Sequence, residues 1–390
     1  MLVARRTVFR CRRPVRTVFV TVIALAVAAA PAALPAGTPE EASRTGHQIF
    51  LQTCVACHGA DGKGQSRSRV GFEDPLPDFT DPDFSSREPH ADWVGIALNG
   101  GPSKGFSENM PSFRGALTME ELDLVVGYIK SLGHDPAWPP GEFNLPRPLV
   151  TSKAYLEDEI VFSATVNEAA YGLSSFGGKI VYEQRFGTRN MWEVVLPFGW
   201  SERYTGFEPG PTEWGANLGD AAVAVKRAFY HNLKKGSILS GAAELILPTG
   251  DRASGLGKGT FIFEPFLAYG QLLPADFFLQ AQAGMEIPFQ TSKASNEAFL
   301  RLVLGRSINF KPWGRTWSPM VELLAAKELV SGEKVLFDVV PQIQVTVNKR
   351  QHIRFNIGVR MPVNETSGRN FAVIAYLLWD WFDGAFFDGW

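Results

Sequence analysis

The chain has 390 residues, of which 45% are hydrophobic and 20% charged, and its formal net charge at pH 7 is -2. This length suits two domains of ordinary size. The balanced charge lacks the basic footprint of a nucleic-acid-binding protein. Three cysteines are too few for a disulfide-stapled scaffold. The composition therefore predicts a folded protein of two domains that does not bind nucleic acid.

Residues 1–36 predict a secretory signal peptide. Arginines concentrated between Arg5 and Arg16 precede an apolar run from Val18 to Ala30, and small residues follow as cleavage sites. The run is too short to span a membrane as a helix, although an uncleaved N-terminal anchor is the alternative. Cleavage would remove Cys11 and leave an exported, mildly acidic protein with two cysteines.

The remaining chain divides into three parts. Residues 40–135 have the pattern of helices and loops, residues 136–155 are rich in proline, and residues 156–390 have the two-residue periodicity of strands. Because proline makes a chain stiff and extended, the middle part predicts a linker. We therefore expect a small all-α domain followed by a β-rich domain.

The segment Cys-Val-Ala-Cys-His, residues 54–58, is the attachment motif of c-type haem. On a helix, this spacing lets each thiol form a thioether with one vinyl group of the same porphyrin. The histidine that follows then points at the iron. We expect one covalent haem c, bound by Cys54, Cys57 and His58, with His58 as the proximal iron ligand.

Two other sites could use these cysteines. A structural zinc site needs a second pair of ligands, and only His90 and His134 are within range. A redox-active dithiol lacks the histidine of this motif and belongs to a βαβ setting. Both patterns fit the segment less well than haem attachment does.

Met110 is the expected sixth ligand of the iron. It lies in the segment Asn109–Phe113, where Pro111 restricts the loop, and a Met/His pair of ligands raises the haem potential. Met119 is one alternative, and His90 is another that would give a low-potential bis-histidine site.

Met119 has a helical setting of its own. Thr118 and Glu121 form a capping box, which places Met119 in the first turn of a helix that ends near Leu132. Apolar residues recur along this helix at helical spacing, so the pattern predicts a core helix.

Residues 43–134 resemble a class I c-type cytochrome in three features: the motif at residues 54–58, the loop at Met110-Pro111, and a terminal helix ending in Tyr128–Leu132. The resemblance implies that the first and last helices pack against each other, that the haem edge is partly exposed, and that the domain carries electrons.

The β-rich part predicts an antiparallel transmembrane β-barrel of about 12 strands, because stretches of roughly ten residues alternate between apolar and polar side chains. These segments start near residues 157, 178, 189, 219, 236, 259, 275, 297, 316, 334, 351 and 369. Short and long connections alternate along the chain. Since outer-membrane barrels have short periplasmic turns and longer external loops, both termini are expected in the periplasm.

Aromatic residues support a membrane barrel. Tryptophans cluster near the ends of the segments, and the chain ends in Phe386–Trp390, which resembles the terminal aromatic of outer-membrane proteins. A soluble, lipocalin-like barrel is the alternative, because alternation alone does not tell which face points outward. We expect a location in the bacterial outer membrane, in contact with its lipid.

The whole plan resembles fused cytochrome–porin proteins of the outer membrane, some of which oxidise external ferrous iron. The barrel is also similar, in Gly241–Gly250 and Phe263–Gln280, to outer-membrane transporter-like proteins of aromatic degradation. The first resemblance implies an electron carrier between periplasmic carriers and an external donor or acceptor, with the haem domain on the periplasmic side or in the barrel mouth.

Two further functions remain open. One is a passive channel for small or hydrophobic solutes with a tethered periplasmic cytochrome. The other is a soluble periplasmic cytochrome with a β-rich domain that binds a partner. The sequence contains no catalytic constellation, so we expect an electron carrier rather than an enzyme that transforms a substrate.

Overall fold

The computed structural model describes residues 44–168, 174–204, 212–252, 255–310, 315–367 and 369–381. The expected signal peptide and the aromatic chain end, Phe386–Trp390, lie outside these residues. Among the described residues, no helix combines the length and the apolar character needed to cross a lipid bilayer.

The N-terminal part consists of helices and loops. Its α-helices are α1 (Gly46–Thr53), α2 (Val55–His58), α3 (Arg67–Val70), α4 (Pro82–Arg87), α5 (His90–Asn99) and α6 (Met119–Leu132). Helix α6 begins with the predicted capping box, in which Thr118 and Glu121 each accept a hydrogen bond from the other's backbone N–H. The box satisfies two donors that a helix start otherwise leaves unpaired, and it confirms Met119 in the first turn.

Helices α1 and α6 cross at very short range. A Cβ atom on Gly46 would lie 2.1 Å from the carbonyl oxygen of Leu124, so only glycine allows this approach. Next to it, the rings of Phe50 and Tyr128 lie 5.4 Å apart. The domain core consists of Ile49, Phe50, Phe79, Trp93, Leu117, Leu122, Val125, Val126 and Ile129. The first and last helices therefore pack as the cytochrome resemblance implies.

The C-terminal part is a single antiparallel sheet. Its strands are β1 (Glu159–Glu168), β2 (Ser174–Phe186), β3 (Asn190–Tyr204), β4 (Thr212–Leu218), β5 (Ala222–Asn232), β6 (Ser237–Ile246), β7 (Ile262–Leu272), β8 (Phe277–Pro288), β9 (Glu297–Arg306), β10 (Ile308–Phe310), β11 (Arg315–Glu328), β12 (Leu336–Thr346), β13 (Ile353–Pro362) and β14 (Ala372–Asp380).

The sheet closes into a barrel whose wall has twelve strands. Strand β1 pairs with β14, and β9 pairs with β11, which completes the ring. Strand β4 pairs only with the far end of β3, and β10 only with the first residues of β11. The expected antiparallel barrel of about 12 strands is confirmed.

Polar and charged side chains of the wall point into the barrel beside buried apolar ones, and the outer face is apolar. On β12, Asp338, Gln342 and Gln344 are buried, whereas Phe337 and Ile343 are exposed. Other buried polar residues of the wall are Glu183, Lys226, Glu264, Gln280, Gln282, Ser318, Glu322 and Asn356. Exposed apolar residues include Leu196, Val225, Leu267, Leu300, Leu302, Leu304, Leu323, Ile357 and Leu377. A soluble barrel has the opposite arrangement, and a transmembrane barrel has this one.

Much of the proline-rich stretch lies inside the barrel. The backbone N–H of Leu149 donates to Glu322 on β11 at 2.8 Å, and that of Ser152 donates to Gln282 on β8 at 3.0 Å. These acceptors belong to the buried, inward face of separate strands. We call residues 143–156 the lumenal segment.

Candidate haem site and its place on the barrel

The two expected haem-binding cysteines lie at the start of α2 and within it. Cys54 separates α1 from α2, and its carbonyl accepts from the N–H groups of Cys57 at 3.3 Å and His58 at 3.0 Å. Both thiols are free. Burial raises the pKa of the Cys54 thiol, which makes it a poor redox-active thiolate. Two free thiols three residues apart are suited to thioether formation with one porphyrin.

His58 lies against an aromatic wall. Its ring centroid lies 4.7 Å from that of Phe79, and the rings of Phe79 and Trp93 lie 5.4 Å apart. Burial lowers the pKa of His58 to about 4, because desolvation disfavours the charged imidazolium. The imidazole is therefore neutral at physiological pH, which is the form that binds a metal.

Met110 lies in a loop that is fastened at both sides. Its carbonyl oxygen accepts from the N–H of Gly101 at 2.9 Å, and the N–H of Phe113 donates to Ala97 of α5 at 3.0 Å. Asp74 accepts from the side chain of Asn109 at 2.6 Å. The position of Met110 is thus set by contacts distant in sequence, as a distal ligand requires.

The two alternative ligands have other surroundings. Met119 is 57% exposed on the first turn of α6. The Nε2 atom of His90 lies 2.7 Å from an oxygen of Asp123, and its backbone N–H donates to Glu142 at 2.9 Å. That Met110 is the sixth ligand stays a prediction.

The residues of this site fit a covalent haem c. The thiols of Cys54 and Cys57 are unmodified and close in sequence, and among the described residues Nδ1 of His58 is buried without a hydrogen-bond partner. Phe79 and Trp93 supply the apolar surroundings that haem needs. In the part of the chain that the structure describes, no group of three or more His, Cys, Asp or Glu side chains is arranged to hold a metal ion.

The Met110 loop touches the barrel. Arg350 lies in the turn between β12 and β13 and donates to the carbonyl oxygen of Gly105 at 3.2 Å. Its guanidinium also lies 4.6 Å from the ring centre of Phe106, a distance typical of a cation–π contact. This turn therefore fixes the loop that carries Met110.

Two more arginines hold the helical domain at the same end of the barrel. Arg189, in the turn between β2 and β3, donates to the carbonyl oxygens of Ala137 at 2.6 Å and Pro136 at 3.2 Å. Arg87 of α4 forms a buried ion pair with Asp158, just before β1, at 3.1 Å. Nothing in their local sequence distinguishes these arginines from other surface arginines, so no sequence pattern predicts their contacts.

Comparison with protein families identifies the helical part. Residues 41–129 match the family model described as cytochrome c oxidase, cbb3-type, subunit III. The match covers a cytochrome c-type domain, and such a domain implies haem binding. Comparison with curated proteins yields no significant match.

Solved structures offer only distant likenesses. The β-domain of the Bordetella autotransporter BrkA is 14% identical, with a TM-score of 0.39, and covers 58% of this chain and 100% of its own. An outer-membrane channel from Pseudomonas putida F1 is 12% identical, with a TM-score of 0.39, over 61% of this chain and 100% of its own. The KdgM porin is 8% identical, with a TM-score of 0.36, over 57% and 99%. The assignment of the barrel rests on its own strand pairing.

A cytochrome c-type domain is thus fused to a closed twelve-stranded barrel that resembles outer-membrane porins and channels.

Proposed function

We propose that this protein transfers electrons at the bacterial outer membrane. One covalent haem c, on a domain fastened to the periplasmic mouth of the barrel, exchanges electrons between periplasmic carriers and an external donor or acceptor. The observation that carries this proposal is the site itself, where two free thiols and a neutral histidine lie together in a cytochrome c-type domain.

Each residue of the site has a distinct role. Cys54 and Cys57 would hold the haem through two thioethers, and His58 and Met110 would bind its iron. The bound haem supplies reversible one-electron chemistry, and a methionine ligand raises its potential. Phe79 and Trp93 exclude water from the proximal side.

The outer face of the barrel supports a location in lipid. Exposed apolar side chains surround the wall, and exposed tryptophans lie towards both rims, with Trp200 and Trp214 on β3 and β4 at one end and Trp317 near the start of β11 at the other. An apolar band about 25 Å tall between two aromatic girdles is typical of outer-membrane barrels. The predicted signal peptide agrees with export.

We infer the side of the membrane on which the haem domain lies from the lengths of the connections between strands. The arginines at 189 and 350 that hold the haem domain lie in short turns. Short turns of such barrels face the periplasm. We therefore infer that the haem domain faces periplasmic carriers and that an external partner reaches it through or around the barrel. External ferrous iron is one candidate donor.

Oxidation of the haem in liposomes tests this function. The full chain would be reconstituted with its haem domain inside, reduced, and exposed to a membrane-impermeant oxidant outside while the haem absorbance is followed. Rapid bleaching supports exchange across the membrane. Bleaching only after detergent is added contradicts it. Liposomes holding protein with both Cys54→Ala and Cys57→Ala give the baseline without covalent haem, and protease added outside measures the fraction of inverted molecules.

A second candidate function is a channel for small solutes. The specific observation that favours it is the set of buried polar and charged side chains on the inner face of the wall. A barrel needs an apolar outer face to lie in lipid, but it does not need these inner polar residues. The same polarity favours polar solutes over hydrophobic ones.

A further inference from the structure

Within the described part of the chain, one polar cavity lies inside the barrel and another lies at its mouth. The inner one, about 190 Å³, is lined by the basic residues Lys179 and Arg301 and by the acidic residues Glu193, Glu244 and Glu264. The outer one, about 130 Å³, lies where Arg87 and Asp92 of the haem domain face Gln351 and Arg354 of the barrel. Polar walls of this kind suit ions and small polar solutes.

A single stretch of chain separates the two cavities. Pro146 lines the outer cavity, and its neighbour Arg147 lines the inner one. The backbone between these two residues is therefore part of the partition between the mouth and the interior. Both residues belong to the lumenal segment.

Arg147 ties the partition to four neighbouring strands of the wall. Its guanidinium pairs with the carboxylates of Glu159 on β1 and Glu183 on β2. Its carbonyl oxygen accepts from the hydroxyl of Tyr376 on β14 at 2.5 Å and from the side chain of Asn356 on β13 at 3.2 Å. All four partners are buried.

The rest of the lumenal segment is held on the other side of the interior. Three of its backbone N–H groups donate to Glu322 on β11. Leu145 packs with Phe278, Val303 and Met320 of the inner wall. The wall that the segment covers also carries buried polar side chains, among them Gln282, Glu322 and Gln342, which water can hydrate once the segment leaves.

We propose that the lumenal segment is the gate of a solute pathway through the barrel, with Arg147 as its latch, and that the pathway carries ions and small polar solutes. The gate adjoins the haem domain, because Glu142 accepts from the N–H of His90 and Asp158 pairs with Arg87. These contacts flank the segment on both sides in the sequence. This inference rests on the channel candidate and not on electron transfer.

Conductance of the full chain in planar lipid bilayers tests the gate, with potassium chloride as the probe. Three proteins would be compared with the wild type: Arg147→Gln, a variant with residues 143–152 replaced by a Gly/Ser stretch of equal length, and Arg227→Gln. Arg227 faces outward on β5 and bonds Asn190, so it is the matched control.

The gate predicts that the wild type is mostly closed, that Arg147→Gln raises the mean conductance several-fold, and that the replaced segment gives a steady, larger conductance. Arg227→Gln should match the wild type. A wild-type conductance equal to that of the replaced segment overturns the gate but leaves the channel. No conductance from a folded protein with the replaced segment overturns the channel and the gate together. If Arg147→Gln does not fold, Glu322→Gln serves as the second single substitution.

Discussion

Glu322 on β11 binds Thr151 of the lumenal segment twice, because its Oε2 accepts from the backbone N–H at 2.8 Å and from the hydroxyl at 2.6 Å. Its Oε1 accepts from the N–H groups of Leu149 at 2.8 Å and Val150 at 3.1 Å. Three consecutive N–H groups thus converge on one fully buried carboxylate. Hydrogen bonds to a charged acceptor are stronger than neutral ones.

Glu322→Gln should loosen the lumenal segment. The amide of glutamine places an NH₂ group where one oxygen of Glu322 accepts N–H donors, so some of these hydrogen bonds are lost. A hydrogen bond to a charged group contributes about 1.5–3 kcal/mol. Hydrogen exchange at residues 149–151 should become faster. Glu328→Gln, at the exposed end of β11, is the control. Unchanged exchange in the Glu322 variant would show that the carboxylate does not hold the segment.

Gly46→Ala should destabilise the haem domain by about 1–3 kcal/mol, the usual cost of overpacking. The new methyl group would overlap the backbone of Leu124, so α1 and α6 would have to separate. Gly95→Ala in α5 is the matched control, because its Cβ would have no atom within 4 Å and alanine favours a helix. Urea unfolding followed at the haem absorbance measures both. Equal midpoints for the two variants would contradict the close crossing.

Met110→His should lower the haem potential, because two histidine ligands stabilise the oxidised iron relative to a Met/His pair. A potentiometric titration of the full chain measures the change. Met119→His makes the same substitution on the exposed first turn of α6, and it should leave the potential unchanged. A shift in the Met119 variant alone would assign the distal position to Met119.

Arg350→Ala should loosen the haem domain from the barrel. The substitution removes the hydrogen bond to Gly105 and the cation–π contact with Phe106, and such a contact contributes about 0.5–1 kcal/mol at an exposed site. Residues 101–110 should then be cleaved faster by added protease. Lys349→Ala, at the exposed neighbouring position, controls for charge. Equal cleavage in the two variants would mean that this turn does not hold the Met110 loop.

The capping box at α6 should make the haem domain sensitive to acid. Hydrogen bonding from the Thr118 N–H, and then from Arg44, lowers the pKa of Glu121 below its usual 4.5. A lowered pKa in the folded state stabilises the domain above pH 4.5, and this contribution is lost as the pH falls through the lower, folded value. Glu121→Gln keeps an acceptor for Thr118 but has no charge to lose.

The wild type should therefore lose more stability between neutral and acidic pH than Glu121→Gln does. Urea midpoints of the full chain at both pH values measure the difference. Glu120→Gln, exposed on the same turn, should behave as the wild type. An identical acid loss in wild type and Glu121→Gln would rule out this source of acid sensitivity.

The number of strands in the wall could be predicted from local pattern. Segments such as Leu336–Thr346 alternate between apolar and polar side chains along the sequence, and each strand reports its own period whatever its neighbours are. The capping box of Thr118 and Glu121 is equally local. The sequence could not tell which face of each strand points outward, because the alternation is the same whether the apolar side chains point into the barrel or out of it.

The composition of the lumenal segment does not predict where the segment lies. Its prolines predict a stiff, extended chain, yet they do not reveal that Leu149 bonds Glu322, which lies 173 residues further along. The docking arginines had no local signal either, because a surface arginine and an interface arginine have the same sequence neighbourhood.

By itself, therefore, the sequence determined the haem-attachment motif at Cys54–His58, the helical ends of its domain and the strand rhythm of the barrel. Each of these depends on residues a few positions apart. Only the tertiary structure decided that the polar face lines the interior, that residues 143–156 occupy it, and that Arg350 fastens the Met110 loop to the barrel. Those features depend on hydrogen bonds and packing between distant residues, and closure of the sheet is what brings such residues together.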